Sequence, residues 1–284
     1  MPALSSHPLI HRHAAGSDGA LVNAYLIEGP TGVVAIDSML TVSDSRALRS
    51  ALEQLQKPLR AALLTHSHPD HYGGLTELVA SDDVPIIAVS GVNEVIRRDD
   101  EVKEQILRPM FGDEWSTKRT FPNQTVSDGD TVRFDGMTFT VMDIGPGESP
   151  HDSAWFLGAD RTTVFLGDQI YNHMHAYLAD GFHDNWLSNI ERFRSELPPD
   201  ATLHIGHGEP TTPALLDWQR EYIETFLTAV REVDFSRPDE ARAEVVARVK
   251  DYLPTDELQF LMELSIEPVA AHDSHDGTGA PNWI

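Results

Sequence analysis

The sequence predicts an α/β fold, an αββα sandwich of two mixed β-sheets flanked by helices. Short apolar strands alternate with amphipathic segments of helical spacing in the first half of the chain, and strands broken by Gly or Asp follow from residue 131. The 284 residues suffice for one large domain, and 40% hydrophobic with 23% charged residues is an ordinary composition for a folded protein. Mixed strands and helices in this order indicate two packed sheets with helices outside them.

The first half is predicted to form one sheet with its helices. Apolar strands at residues 21–27 and 33–36 are joined by Gly-Pro-Thr-Gly and form a hairpin. The elements expected next are a helix at 44–55, a strand at 61–65, a helix at 75–80, a strand at 86–89 and an amphipathic helix at 92–108. Residues 110–124 show no clear period. Their apolar side chains suit either a lid over a pocket or packing under the sheet: Met110, Phe111, Trp115 and Phe121.

The second half is predicted to form a second sheet and a C-terminal helical extension. Strands are expected at 131–134, 137–144, 153–158, 162–167 and 201–205, and helices at 213–233, from 238 to before Pro254, and at 256–265. We expect a catalytic domain at 1–235, with helices and a tail at 236–284 packing on it. The polar, Gly-rich end from His272 is expected to be loose, with Trp283 and Ile284 as its anchors.

Composition restricts the function classes. The chain has 21 Lys and Arg against 45 Asp and Glu, a net charge of -24, which would repel phosphate backbones and argues against nucleic acid as a partner. No apolar run reaches the roughly 18 residues of a membrane span, and the first residues lack the apolar core of a secretion signal, so we expect a cytoplasmic protein with no membrane contact. Without cysteine, any transition metal must be bound by imidazole and carboxylate groups.

One short segment concentrates metal-binding side chains. His66, His68, Asp70 and His71 fall within six residues, directly after the apolar strand at 61–65. A strand end followed by a tight loop directs such side chains toward one point. The spacing therefore predicts a metal centre. The sequence contains no Gly-x-Ser-x-Gly segment, so it does not indicate a serine nucleophile.

This pattern, HxHxDH after a strand, resembles the signature of the metallo-β-lactamase superfamily. Companion motifs follow in the expected order over about residues 20–230. Asp168, after the apolar run TVFL and Gly167, matches the family's bridging aspartate, and His207, in Gly-His-Gly, matches its last histidine. Asp37, which closes the VVAID strand, matches an acidic residue that supports the ligands from behind.

The resemblance implies two divalent metal ions. His66 and His68 would bind the first ion, Asp70, His71 and His207 the second, and Asp168 would bridge them. Most family members supply the third ligand of the first ion from a Gly-His-Thr segment. This chain has Glu148 there, as alkylsulfatase-like branches do, and it keeps the spacing into the next strand, while His151 is the rival ligand. Nitrogen and oxygen donors of this kind suit zinc, and the extra carboxylate makes manganese or iron acceptable.

Such a centre predicts hydrolysis by a metal-bridging hydroxide, with Asp70 as the catalytic residue that holds it together with Asp168. A small neutral molecule, an ester, lactone or thioester, is the expected substrate. A di-iron redox protein and a metal-poor binding protein are the alternatives, and a homodimer through the C-terminal helices is possible. Side chains near the motifs are candidate substrate contacts: Tyr72, Tyr171, His173, His175, His183 and Trp186.

Overall fold

The computed structural model describes residues 8–274, and its strands form two sheets. The strands of the first sheet are β1 (Leu9–Ala14), β2 (Asn23–Glu28), β3 (Val33–Ile36), β4 (Leu59–Leu63), β5 (Ile86–Val89) and β6 (Gln124–Val126). They lie side by side in chain order. The pairs β1–β2 and β2–β3 are antiparallel, and the three remaining pairs are parallel, so the sheet is mixed.

The second sheet contains five strands, β7 (Thr131–Phe134), β8 (Met137–Gly145), β9 (Asp152–Leu157), β10 (Thr163–Tyr171) and β11 (Thr202–His207). Their order is β11-β10-β9-β8-β7, and only the β10–β11 pair is parallel. The helices are α1 (Val42–Gln54), α2 (Pro69–Tyr72), α3 (Leu75–Leu78), α4 (Ser90–Phe111), α5 (His183–Glu196), α6 (Leu215–Glu232), α7 (Pro238–Tyr252) and α8 (Gln259–Ser274). The predicted sandwich of two mixed sheets flanked by helices is confirmed.

The side-chain alternation of the second sheet explains how the layers pack. In β10, Phe165 belongs to the apolar cluster of the first sheet, whereas its neighbours Val164 and Leu166 belong to the cluster that includes α5 and α6. In β9, Trp155 packs inward in the same way, and Phe156 packs outward. Because successive side chains of a strand point to opposite faces, the second sheet contributes to both cores.

The apolar cluster that includes α5 and α6, here called the outer core, leads to a stability prediction. Phe226 of α6 is fully buried in the cluster behind the second sheet. Replacing a buried Phe with Ala typically costs about 3–5 kcal/mol, because apolar contacts are lost and a cavity remains. Phe226→Ala should lower the free energy of unfolding by this amount in denaturant titration. Thr228→Ala, an exposed change on the same helix, should stay within about 0.5 kcal/mol, and equal effects would contradict the assignment.

Strand β1 and helix α5 were absent from the sequence prediction, as were the short strand β6 and the single-turn helix α2. Strand β1 has the sequence LIHRHA, in which three polar residues hide the alternation, and it is an edge strand that pairs only with β2. Helix α5 was overlooked although Trp186, Ile190 and Phe193 follow helical spacing and are buried. In the 110–124 segment, Trp115 is buried and Phe121 packs against the apolar cluster of the first sheet. These contacts favour packing under the sheet and not a lid over a pocket.

The C-terminal helices contribute to the outer core. Val245 and Val249 of α7 and Met262 and Ile266 of α8 lie in the same apolar cluster as β10. A domain division at residue 235 stays a prediction, and the expected anchors Trp283 and Ile284 lie outside the described residues. Among residues 8–274, no helix is both long and apolar enough to cross a membrane.

Candidate metal centre

The HxHxDH segment lies at the carboxyl end of β4, where the chain turns into helix α2. His68 has extended backbone angles and caps α2, and Pro69 begins the helix, which suits its fixed φ. His66 and His68 therefore precede the helix, while Asp70 and His71 lie in its single turn. The strand end and the helix start together direct four side chains to one region.

The second sheet supplies the other members of the site. Asp168 lies inside β10, and His207 ends the neighbouring strand β11, in register with Tyr171. Glu148 lies in the connection between β8 and β9 and is 1% exposed. These three side chains meet the HxHxDH segment between the two sheets.

The seven residues form two clusters. In the first cluster, His68 Nδ1 lies 2.9 Å and His66 Nε2 lies 3.5 Å from Glu148 Oε2. Asp168 completes this cluster, with its Oδ2 atom 3.8 Å from His66 Nε2. The candidate ligand atoms of the group lie within 4.8 Å of one another, a spacing that one metal ion could occupy.

The second cluster contains Asp70, His71, His207 and, again, Asp168. His207 Nε2 lies 3.0 Å from Asp168 Oδ2, and His71 Nε2 lies 3.3 Å from Asp168 Oδ1. Asp70 Oδ2 lies 3.3 Å from His207 Nε2. Asp168 is therefore common to both clusters, because its Oδ2 atom lies near His66 of the first cluster and near His207 of the second.

Unpaired buried atoms test whether this arrangement fits metal ions. Within the described residues, five buried atoms make no well-aligned hydrogen bond, although they lie near one another: His66 Nε2, His71 Nε2, Glu148 Oε2, Asp168 Oδ1 and His207 Nε2. Buried polar groups without partners are costly and uncommon in folded proteins. Divalent cations would satisfy all five, so the residues present fit two metal ions bound by nitrogen and oxygen atoms.

The electrostatics agree with this fit. Burial raises the pKa of the Glu148 carboxyl to about 8, and burial lowers the pKa of the His66 imidazole well below its usual range. A nearby cation favours the ionised carboxylate, and a metal binds the neutral imidazole. A bound ion would therefore stabilise the ligating form of both groups.

Comparison with known proteins identifies the family. The model of the Metallo-beta-lactamase superfamily matches residues 18–207, which is more than half of the chain and includes all seven cluster residues. The chain belongs to the metallo-beta-lactamase superfamily. A metallo-beta-lactamase family protein from Thermus thermophilus is similar over 98% of both chains, with a TM-score of 0.69 and 19% identity, which shows the shared fold.

Two relatives are named for an activity. Hydroxyacylglutathione hydrolase of Prochlorococcus marinus (strain MIT 9301) is 28% identical over 150 residues, 52% of this chain and 51% of that protein. The alpha subunit of 2,4-dinitroanisole O-demethylase from Nocardioides sp. (strain JS1661) is 29% identical over 215 residues, 72% of this chain and 58% of that protein. The chain thus spans about half the length of the curated relatives it matches.

In this superfamily member, Asp37 supports two candidate ligands from behind. Its Oδ2 atom accepts hydrogen bonds from His71 Nδ1 at 2.8 Å and from the Thr65 hydroxyl at 2.8 Å. Because the Thr65 hydroxyl donates to Asp37, it accepts from His66 Nδ1 at 3.0 Å. Both imidazoles thereby turn their Nε2 atoms toward the clusters. Such partners fix the tautomer and orientation of ligating histidines.

Two other side chains extend the site. The Tyr171 hydroxyl lies 2.8 Å from Glu148 Oε1 and 2.9 Å from Asp168 Oδ2, and its ring stacks on His207. Burial and the two carboxylates hold the pKa of Tyr171 well above 10, so the phenol keeps its proton and donates it in a hydrogen bond. Asp180 accepts from His68 Nε2 at 3.0 Å and was missed, because nothing in the sequence links it to a residue 112 positions away.

The remaining candidates have partners outside the clusters. His151 Nε2 donates to Asp143 Oδ1 at 2.7 Å and lies against Gly91, so the structure brings Glu148, and not His151, to the first cluster. The Tyr72 hydroxyl donates to Asp100 at 3.0 Å. The other contacts are those of His173 with Trp218, His175 with Tyr222, His183 with His272, and Trp186 with the Gln169 carbonyl.

The lack of space for a side chain at Gly206 leads to a further prediction. A Cβ atom there would lie 1.7 Å from Asp168 Oδ1 and 2.8 Å from His71 Cε1, so Gly206→Ala must displace the shared carboxylate. A displacement of about 1 Å costs about 100-fold in rate, so we expect at least that loss of hydrolysis, together with loss of bound metal. Gly16→Ala, which meets nothing within 4 Å, is the control. Full metal content in Gly206→Ala would refute this geometry.

Proposed function

We propose that the chain is a binuclear metal-dependent hydrolase acting on a small ester, lactone or thioester. The shared position of Asp168 carries this proposal, since the residue belongs to both groups and its Oδ2 atom lies near His66 of the His-His-Glu group and near His207 of the Asp-His-His group. The same residues leave buried donor atoms facing the clusters, which a pair of cations would satisfy. Membership of the superfamily and a relative named as a hydrolase support the same reaction class.

The proposed ligand assignment follows the two clusters. His66, His68 and Glu148 would hold one ion, Asp70, His71 and His207 the other, and Asp168 would contact both. Two bound divalent cations would supply Lewis acids that polarise an ester or thioester carbonyl and lower the pKa of a water molecule. Zinc is the metal we propose, with manganese or iron as alternatives for these nitrogen and oxygen donors.

Asp70 is the proposed catalytic residue because of where it lies. Its side chain is 16% exposed, whereas those of His71, Asp168 and His207 are at most 1% exposed. Asp70 is therefore the most accessible member of the second cluster, and its carboxylate would accept a hydrogen bond from a water molecule and orient it toward the substrate carbonyl. Asp37, Thr65 and Tyr171 hold the surrounding side chains in place through hydrogen bonds.

The proposed substrate class rests on the net charge of the chain and on the name of one similar protein. The net charge of -24 disfavours phosphate-rich partners, which leaves a small neutral substrate in the cytoplasm as our proposal. The relative named hydroxyacylglutathione hydrolase supports testing a thioester first among the candidate bonds.

Metal analysis combined with a substrate panel tests the proposal. Purified protein should contain two metal ions per chain and hydrolyse at least one aryl ester, lactone or thioester, and a chelator should abolish turnover until metal is restored. Visible iron absorption with redox activity would indicate the di-iron alternative instead. Little metal and no turnover after reconstitution with zinc, manganese or iron would leave a binding protein.

A further inference from the structure

His68 lies between two carboxylates that come from different parts of the chain. Its Nδ1 atom is 2.9 Å from Glu148 Oε2, and its Nε2 atom is 3.0 Å from Asp180 Oδ2. We infer that Asp180 is the positioning residue of His68, and that helix α8 and the turn before it hold Asp180 in place. This inference rests on the proposed function, because it takes His68 as a metal ligand.

The role of Asp180 follows from imidazole chemistry. A neutral imidazole has one N–H group, and an ionised carboxylate only accepts hydrogen bonds. When Nε2 donates to Asp180, the lone pair of Nδ1 faces Glu148 and the first cluster. Thr65 and Asp37 do the same for His66 and His71 through the opposite ring nitrogen. Asp180 is therefore the third member of a set of groups that fix ligand tautomers.

Asp180 lies in the connection between β10 and α5, residues 172–182, which the C-terminal segment supports. The amide of Leu178 donates to Ser265 Oγ of α8 at 2.8 Å, and Ser265 is fully buried. The amide of His175 donates to the Glu257 carbonyl at 3.1 Å, and its Nε2 donates to the Thr255 carbonyl at 3.0 Å. All three partners lie beyond residue 207, where the match to the family model ends.

Helix α6 adds a contact that agrees with these tautomers. The Tyr222 hydroxyl donates to His175 Nδ1 at 3.1 Å and accepts from the amide of Ala176 at 3.2 Å. Burial lowers the pKa of His175, which keeps this imidazole neutral with its proton on Nε2. The connection that carries Asp180 is thus joined to α6 and to α8 by buried hydrogen bonds, and rotation of either helix would move Asp180 relative to His68.

Metal affinity is the test of Asp180. In chelator competition with zinc, Asp180→Ala should weaken the affinity for one of the two ions about 10–100-fold, which is the range for losing the hydrogen-bond partner of a metal ligand. Asp180→Asn should weaken this affinity less, because its amide oxygen still accepts a hydrogen bond. In a Glu148→Gln background, which already lacks the first position, Asp180→Ala should change the remaining affinity less than about 2-fold. Asp184→Asn, an exposed acid nearby, is the control.

The role of Asp180 would be overturned if Asp180→Ala weakened the affinities for both ions equally, or if it weakened the remaining affinity by the same factor in the Glu148→Gln background. Unchanged affinities for both ions in Asp180→Ala would overturn it as well. Two bound ions without hydrolysis of any substrate would count against the proposed function and leave this inference standing. A change in the affinity ratio separates positioning of His68 from a purely structural role, which would move both affinities together.

A second comparison tests the contribution of α8. Ser265→Ala removes the acceptor of the Leu178 amide, so amide hydrogen exchange at Leu178 should accelerate and the affinity for the first ion should fall about 3-fold or more. Leu264→Ala, at a side chain of the same helix that is 53% exposed, should change neither. Faster exchange in Ser265→Ala with both metal affinities unchanged would show that α8 does not act on the site.

Discussion

Asp168→Asn is expected to remove both metal ions and abolish hydrolysis. The substitution keeps the volume of the side chain inside β10 but replaces one carboxylate oxygen with an amide N–H₂, which cannot bind a cation. Both oxygens are in use, since Oδ1 lies 3.3 Å from His71 Nε2 and Oδ2 lies 3.0 Å from His207 Nε2. Losing a shared ligand should cost more than the roughly 10–100-fold that replacing an outer partner costs.

Two measurements check this expectation independently of turnover. Elemental analysis should find two metal ions per chain in the wild type and only trace amounts of metal in Asp168→Asn. Added zinc should raise the melting temperature of the wild type, because a ligand that binds the folded state stabilises it, and should leave the variant unchanged. Asp200→Asn, at an exposed acid just before β11, should behave as the wild type. An Asp168→Asn variant that retains both ions would refute the shared position.

The site residues were predictable because apolar runs precede most of them in the sequence, and because the resemblance to the superfamily then indicates which of them are ligands. The apolar runs before His66, Asp168 and His207 are buried strands, and the ends of such strands meet where two sheets pack. The spacing of HxHxDH then indicates which side chains converge. Glu148 was predicted from its distance to β9, and the structure brings it to the first cluster beside His66 and His68.

Contacts between distant segments could not be predicted in this way. Asp180 meets His68 because the connection after β10 brings it to a residue 112 positions earlier, and no pattern in the sequence predicts that contact. Strand β1 was missed because an edge strand buries little and so tolerates His11, Arg12 and His13. Helix α5 does carry a sequence signal, because Trp186 and Ile190 follow helical spacing.

Glu148→Gln is expected to lose the first metal ion and keep the second. The side chain is 1% exposed, and its Oε1 atom accepts from Tyr171 while Oε2 lies 2.9 Å from His68 Nδ1. An amide of the same size keeps the first contact but lacks the negative charge that holds a cation in a buried place. The second cluster does not include residue 148, so its ion should remain bound.

His151→Ala is the matched comparison, because it removes the rival ligand three residues away. His151 donates to Asp143 at 2.7 Å, outside both clusters, so this variant should bind two ions and hydrolyse substrate within about 2-fold of the wild type, as a partly exposed change outside the site does. Titration with cobalt, followed by its visible absorption, should show one binding step in Glu148→Gln and two in His151→Ala. The reverse pattern would assign the first ion to His151, and one step in both would mean that the connection between β8 and β9 supplies the ion through more than one side chain.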